Sequence, residues 1–364
     1  MTIYLDYNAT SPLRPEVKNA IISSLGPPSN PSSIHQYGRK AKELLESSRE
    51  HIANLVGSKA DNVVFTSGGT ESNAMILSSA KKPLVSAIEH EAVLNSSNNP
   101  DLIKVNETGV VDLNDLDEKL KTINPDCLSI MWANNETGVI QPIKKIVEIA
   151  SKYEVHVHCD AVQVLGKIPI DFSETGLDSM SVSGHKIGSP SGIGALILSS
   201  RVNLKPFLKG GGQEKGKRSG TENLLGAIGF GIACKTVKSQ INKSHTILEK
   251  QKEFENKIKK SLKEIFIIGE GSPRIPNTSA VYMPFLKSDA QVILMDINGF
   301  AVSSGSACSS GKIKSSYVLK AMGLDWAADK TIRISSGWNN KPEDLEKLAE
   351  FYIEMYEDAK KNSV

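Results

Sequence analysis

The stretch "NVVFTSGGTESNA", residues 62–74, joins two kinds of pattern at a pair of glycines. Before Gly68 lies a β-branched, apolar run of the length a buried strand takes; after Gly69 the polar residues Thr70, Glu71 and Asn73 open a helix. The same succession recurs along the chain. Short β-branched runs stand at 62–67, 83–90, 127–133, 155–160, 179–184 and 193–199. Between them lie amphipathic segments such as "PIKKIVEIASKYE" (142–154), with Pro142 at its start. Strands alternating with helices read as an α/β fold, a parallel or mixed sheet covered by helices. Near Ser244 the texture changes. "SHTILEKQKEFENKIKKSLKEI" reads as a long charged helix, followed by "TSAVYMP", "TIRISSG" and a closing helix with Leu345, Leu348, Tyr352 and Tyr356 on its apolar stripe. This later part reads as a smaller α+β unit.

Bulk composition narrows the function classes. A chain of 364 residues, 39% hydrophobic and 23% charged, is an ordinary globular sequence long enough for one large domain and a smaller one. The 43 basic residues against 41 acidic ones argue against a dedicated nucleic-acid or membrane surface. The start, "MTIYLDYNATSPL", lacks the basic and apolar regions of a signal peptide, and no apolar run reaches the roughly 20 residues a membrane helix needs. The four cysteines, Cys127, Cys159, Cys234 and Cys308, show no metal-binding spacing, which favours a reducing, cytoplasmic setting.

Polar, glycine-rich sequence at strand ends is where α/β proteins build sites. In "TSGGTESNA" (66–74), backbone N–H groups at a helix start and the Thr70 hydroxyl could cradle a phosphate, or Thr70 to Asn73 could merely cap the helix. In "SVSGHKIGSPSGIGAL" (181–196), Lys186 is either a solvated charge or, in a partly desolvated turn, an amine able to form a Schiff base. "VHVHCDAVQVLGK" (155–167) places His156, His158 and Asp160 on one strand face. That is a conceivable metal set, but with no second cluster downstream the better role for Asp160 is pairing with a pyridinium nitrogen, with Gln163 further along the same lip. "GGGQEKGKRSGTEN" (210–223) suggests a mobile anion-binding loop or a flexible surface turn. A phosphate cradle, a Schiff-base lysine and an aspartate at a strand end are together what pyridoxal phosphate requires. His90 in "AIEHEAV" adds a group to stack on a ring or move a proton, and Asn135 in "NNETGVIQP" a donor to the ring's phenolic oxygen.

With these motifs, and "YLDYNATSP", "NPSSIHQYGR", "SSGSACSSG" and "IRISSG" in the same order, nearly the whole chain resembles the cysteine desulfurases, the NifS/IscS-like branch of the class V aminotransferases. The resemblance implies a fold-type I pyridoxal phosphate-dependent transferase with a mainly parallel seven-stranded sheet. Residues 12–245 would form the large domain. Residues 1–11 and 246–364 would form the small one, carrying a mobile cysteine loop at about 303–314. Lys186 would anchor the cofactor covalently, Gly69, Thr70, Ser183, Gly184 and His185 would hold its phosphate, and Asp160, Gln163, Asn135 and His90 would contact the ring. Thr221 would reach the phosphate of a partner subunit in a homodimer, and Arg333, with Asn135, would bind the substrate. The implied reaction takes sulfur from L-cysteine, gives L-alanine and leaves a persulfide on Cys308. That sulfur would then pass to an iron–sulfur scaffold, to transfer-RNA thiolation or to another sulfur-acceptor protein. Two segments depart from the usual pattern: "SPSGIGAL" after Lys186, where relatives often carry Gly-Pro-Lys-Gly, and "KIKSSYVL" after the cysteine loop.

Cys308 sits in "VSSGSACSSGKIKSS" (302–316), among small residues that impose little conformational restraint. That suits a thiolate on a carrier arm better than a core filler. Cys127, Cys159 and Cys234, in apolar segments, read as inert fillers. Rival readings are a selenocysteine lyase or another class V enzyme, and a catalytically silent protein that only docks an iron–sulfur scaffold; Lys186, Asp160 and Cys308 argue against the last.

Overall fold

The computed structural model describes residues 2–97, 99–241, 244–305 and 315–363. The chain begins with β1 (Ile3–Tyr4), α1 (Pro15–Ser23), α2 (Gln36–Val56), β2 (Val63–Thr66), α3 (Gly69–Leu77), β3 (Pro83–Ser86), α4 (Glu91–Leu94) and β4 (Asp101–Ile103). It continues through α5 (Leu113–Ile123), β5 (Cys127–Met131), α6 (Ile143–Ala150), β6 (His156–Asp160), β7 (Ser179–Ser183), β8 (Gly194–Leu198) and α7 (Leu224–Gln240). The last part holds α8 (Ser244–Ser261), β9 (Phe266–Ile268), β10 (Thr278–Tyr282), α9 (Ser288–Ile297), β11 (Phe300–Ala301), α10 (Tyr317–Ala321), β12 (Thr331–Ser335) and α11 (Pro342–Lys361).

Seven strands form the large sheet, in the order β2-β8-β7-β6-β5-β3-β4. All run parallel except β8, which lies antiparallel to both β2 and β7. Strands β2, β3, β5, β7 and β8 are buried at every position. Burial on both faces is why they read as continuous runs rather than alternating ones. The core on one face joins α2 and α7 to the sheet through Ile52, Val56, Phe65, Ile130, Ala227 and Phe230; Met75, Leu77, Val85 and Leu196 pack in a further cluster with α3. Helix α7 crosses α2 closely: a Cβ on Gly231 would stand 2.7 Å from the Ser48 Cα.

A smaller antiparallel sheet, β12-β10-β9, packs with α8 and α11 around Phe254, Ile258, Val281, Ile334, Leu348 and Tyr352. The start of the chain belongs to this side, since β1 pairs with β11 and Asp6 bridges to Ser335. Ile88 and Met131 of the large sheet share a third cluster with Ile268, Tyr282, Val318 and Leu319, which joins the two parts. The α/β architecture follows the expectation, with two local differences. β4 is an edge strand of three residues preceded by Pro100, too short to show a pattern; and Pro142 caps α6 rather than entering it, with that helix ending at Ala150. Among the described residues no helix is long and apolar enough to cross a membrane.

Candidate active site

Because β2, β3, β5, β6 and β7 point the same way, their carboxyl ends share one edge. Taken across the sheet, that edge carries Gly69 and Thr70 after β2, Ser183 at the end of β7 with Gly184 to Lys186 after it, Asp160 at the end of β6, Asn135 after β5 and His90 after β3. Residues far apart in sequence are thus neighbours through strand order alone.

At one end of this row stands the N-terminus of α3. Gly68 caps it without a side chain, and the first backbone donor seen to close the helix is Ser72 N, 3.1 Å from Gly68 O. The amides of Gly69, Thr70 and Glu71 are the donors such a helix start offers to an anion. Thr70 is exposed there, and a Cβ on Gly69 would come within 2.8 Å of the Val162 side chain, so glycine keeps the approach open. Ser183 ends β7 opposite Gly194, which also faces Thr66 of β2. The next residues, Gly184–Ile187, make one short 3-10 turn. In it the Lys186 ammonium donates to Asn8 O at 2.6 Å and Ala9 O at 2.8 Å. His185 lies 3.2 Å from the Thr10 hydroxyl, and burial together with the Lys186 charge pushes its pKa down to about 4, so its ring is neutral at pH 7.

Asp160 is buried, with Oδ1 accepting from Val162 N at 3.0 Å and Oδ2 from the Asn73 amide at 2.8 Å. One helical step on, Gln163 donates to Asn8 O at 3.0 Å and accepts from Lys167 at 2.9 Å. Lys167 also donates to Asn8 Oδ1 at 2.7 Å. Burial, helped by the charges of Lys186 and Arg333, holds the Lys167 amine well below its ordinary pKa. The Lys167 bond fixes the Gln163 amide so that its N–H side is the one left to donate.

Arg333, on β12, brings the smaller sheet to the edge. Its Nη2 pairs with Asp6 at 2.7 Å and its Nη1 donates to Asn135 O at 3.1 Å, while its buried Nε–H has no acceptor among the described residues. The buried Asn135 Oδ1 also lacks a partner among the described residues. His90 caps α4, its Nδ1 accepting from Ala92 N at 3.0 Å. Its neighbour Glu89 is fully enclosed: Oε1 accepts from Ser86 Oγ at 2.5 Å and Met131 N at 2.6 Å, and burial raises its pKa to about 8. Glu136, beside Asn135, accepts from Ser316 Oγ at 2.5 Å, and burial raises its pKa as well.

Other expectations fare differently. Cys308 lies outside the described residues, as does most of the loop placed at 303–314. Thr221 is exposed in the segment leading into α7, without a hydrogen bond to the other site residues among those described. The glycine-rich loop 210–223, read as mobile or a free turn, is pinned at Glu214, whose buried carboxylate pairs with Arg49 at 2.7 Å and accepts from Phe65 N at 2.8 Å. Two of its basic residues are engaged too: Arg218 pairs with Glu71 at 2.7 Å and Lys215 with Asp61. Cys127, Cys159 and Cys234 are buried free thiols, their pKa values raised by burial, which makes them the inert fillers expected. His156 and His158 both bond Ser179; among the described residues no three His, Cys, Asp or Glu side chains stand together to hold a metal ion. Reading for chemistry missed Asn8, Asn73, Lys167, Glu89 and Asp6. Each falls inside or beside a segment singled out for another residue, and that adjacency was the available signal.

The residues present fit pyridoxal phosphate. A helix start with no side-chain cap suits a phosphate, a buried carboxylate suits a ring nitrogen, and a lysine in a tight turn suits the aldehyde. Independent comparisons agree. The chain is 37% identical over 361 residues to the cysteine desulfurase IscS of Dictyoglomus turgidum, covering 94% of this chain and 91% of that one. It is 36% identical to cysteine desulfurase IscS 1 of Archaeoglobus fulgidus, covering 95% of each. The solved structure of a NifS-like protein from Rickettsia africae superposes with a TM-score of 0.91 at 39% identity, over 98% of this chain and all of that one. Residues 3–348 match the aminotransferase class-V family, and the chain belongs to that pyridoxal phosphate-dependent family.

Proposed function

We propose that this protein is a cysteine desulfurase that takes sulfur from L-cysteine, releasing L-alanine and leaving a persulfide on Cys308. The observation that carries the reading is the shared strand edge, where the α3 N-terminus, Lys186, Asp160 and Arg333 converge from four distant segments. Gly69, Thr70, Ser183, Gly184 and His185 would hold the cofactor phosphate, Asp160 the ring nitrogen, and Asn135 and Gln163 the phenolic oxygen. His90 would contact the ring and Lys186 would be the covalent anchor. Bound pyridoxal phosphate supplies the electron sink for breaking bonds at the substrate.

The chain's own groups do the rest. Arg333, held by Asp6 and Asn135 O, keeps its Nε–H for the substrate carboxylate, and Asn135 completes that pocket. Lys186 Nζ removes the proton from the substrate α-carbon, and His90 shuttles protons beside it. The Cys308 thiolate attacks the substrate sulfur: the S–S bond forms as the Cβ–S bond breaks, and the thiol's proton is balanced by the one gained at Cβ in alanine.

The same reading extends to partners. Exposed Ile34, Tyr37, Phe207 and Leu208 support a homodimer in which Thr221 reaches the other subunit's cofactor phosphate. The sulfur acceptor is an iron–sulfur scaffold, a transfer-RNA thiolation protein or another carrier protein, and the buried free cysteines support a cytoplasmic setting. Residues 12–245 act as the large domain, and residues 1–11 with 246–364 as the small one. Purified protein with its cofactor and L-cysteine should release alanine, and peptide mapping should place an alkylation-trapped persulfide on Cys308. Cys308→Ser should keep the cofactor absorbance and lose alanine release; normal turnover in that variant would overturn the reading.

A further inference from the structure

The H-x-H-x-D segment of β6 has a use that metal binding does not explain. We propose that His158 and Asn73, backed by Ser179 and His156, are positioning residues: they form a hydrogen-bond relay of fixed direction that holds Asp160 as an oriented carboxylate. The inference rests on the reading of Asp160 as the partner of the cofactor's ring nitrogen.

The direction follows from which atoms can donate. Asp160 Oδ2 lies 2.8 Å from the Asn73 amide, and Oδ1 already accepts from Val162 N. Turned the other way, the amide would set oxygen against oxygen, so Asn73 presents its N–H to Asp160 and its Oδ1 to His158 Nε2, at 2.9 Å. That nitrogen therefore carries hydrogen, with Ser181 Oγ at 3.3 Å as a weaker second contact. His158 is fully buried, and burial drives its pKa down to about 3, so its ring has one hydrogen and Nδ1 must accept. Ser179 Oγ, 2.8 Å away, supplies that hydrogen and in turn accepts from His156 Nε2 at 2.7 Å. With Asp160 ionised and the His158 hydrogen on Nε2, the chain runs in one sense, from the half-buried start of β6 to Asp160 at its end. Aligned donors polarise one another, and their sum favours negative charge on the final carboxylate.

The test uses the holoenzyme loaded with pyridoxal phosphate labelled with 15N in the ring, read by the 15N resonance and by the cofactor Kd. His158→Leu and Asn73→Ala should each move the resonance toward the unprotonated position and raise Kd roughly tenfold, the worth of one hydrogen bond to a charged group. His158→Gln, which keeps a donor toward Asn73, should stay near wild type. Variants that melt normally yet keep the wild-type resonance and Kd would overturn the relay. If either fails to fold, Ser179→Ala breaks the chain one step earlier and must shift the resonance in the same sense. Asp160→Asn separates the two claims. No change there sinks the reading of Asp160 itself; a change there, with none in the relay variants, sinks only this inference.

Discussion

Arg333 and Lys167 show how a single side chain is tuned by what surrounds it. Arg333 is 5% exposed, and its guanidinium is already forked onto Asp6 and the Asn135 carbonyl, which sets its plane and leaves Nε–H directed by that fork. Lysine has the charge but no fork. Arg333→Lys should therefore raise KM for L-cysteine by about ten- to a hundredfold, the loss of one charge-assisted bond, with a smaller change in kcat. An unchanged KM would remove Arg333 from the substrate pocket. Lys167 makes a different prediction. Its folded pKa lies well below the ordinary 10.5, so between those values the unfolded chain binds one more proton and stability rises with pH. Lys167→Met lacks that slope. The wild type should gain on the variant from pH 7 to pH 10 in urea unfolding, and parallel curves would mean that the buried amine is charged.

Element by element, the site works because strand ends are tied to one another. Glu89 joins β3 to β5, taking Ser86 Oγ and Met131 N on one oxygen while its backbone carbonyl accepts from Tyr317 Oη at 2.5 Å. Its other oxygen, Oε2, is buried without a partner among the described residues, which suits a carboxyl group kept protonated. The folded pKa of about 8 lies above the ordinary 4.5, so across that window the folded chain binds one more proton and stability falls as pH rises. Glu89→Gln removes the dependence. Its stability relative to wild type should climb between about pH 5 and pH 8, read from urea melts at each pH, and a flat difference would show Glu89 ionised in the fold. Such ties also mark how far the sequence can be read. The strands are legible because burial on both faces leaves nothing but apolar and small residues, as in "CLSIM" of β5 and "GALIL" of β8. β4 is not, because three residues at an edge have too few neighbours to impose a pattern.

For the whole molecule, the question is what brings the two sheets to one site. The placement of Lys186, Asp160, Asn135 and His90 at strand ends was legible because a glycine or polar turn after an apolar run is a local signal. Asn8 was not, because its role exists only through contacts more than a hundred residues away. Its Nδ2 donates to Asn135 O at 3.2 Å and Thr278 Oγ1 at 2.8 Å, and its Oδ1 accepts from Lys167 and Asn277. Its carbonyl accepts from both Gln163 and Lys186. One residue of the N-terminal segment, which itself runs beside β11 and β12, thus touches the carboxyl ends of three large-sheet strands and the start of β10. Asn8→Ala keeps the carbonyl but strips the side-chain partners: the Lys167 amine is left with Gln163 as acceptor, the Thr278 hydroxyl loses the Asn8 donor and the Asn277 amide loses the Asn8 acceptor. Stranding buried polar groups costs about 1–3 kcal/mol each, so chemical unfolding should show a loss of about 2–4 kcal/mol. Because the lost bonds span both sheets, the smaller sheet should also loosen first: amide exchange in β10 and β12 should rise more than in β5 and β6. A uniform rise across all four strands would mean that Asn8 stabilises the fold without coupling its two parts.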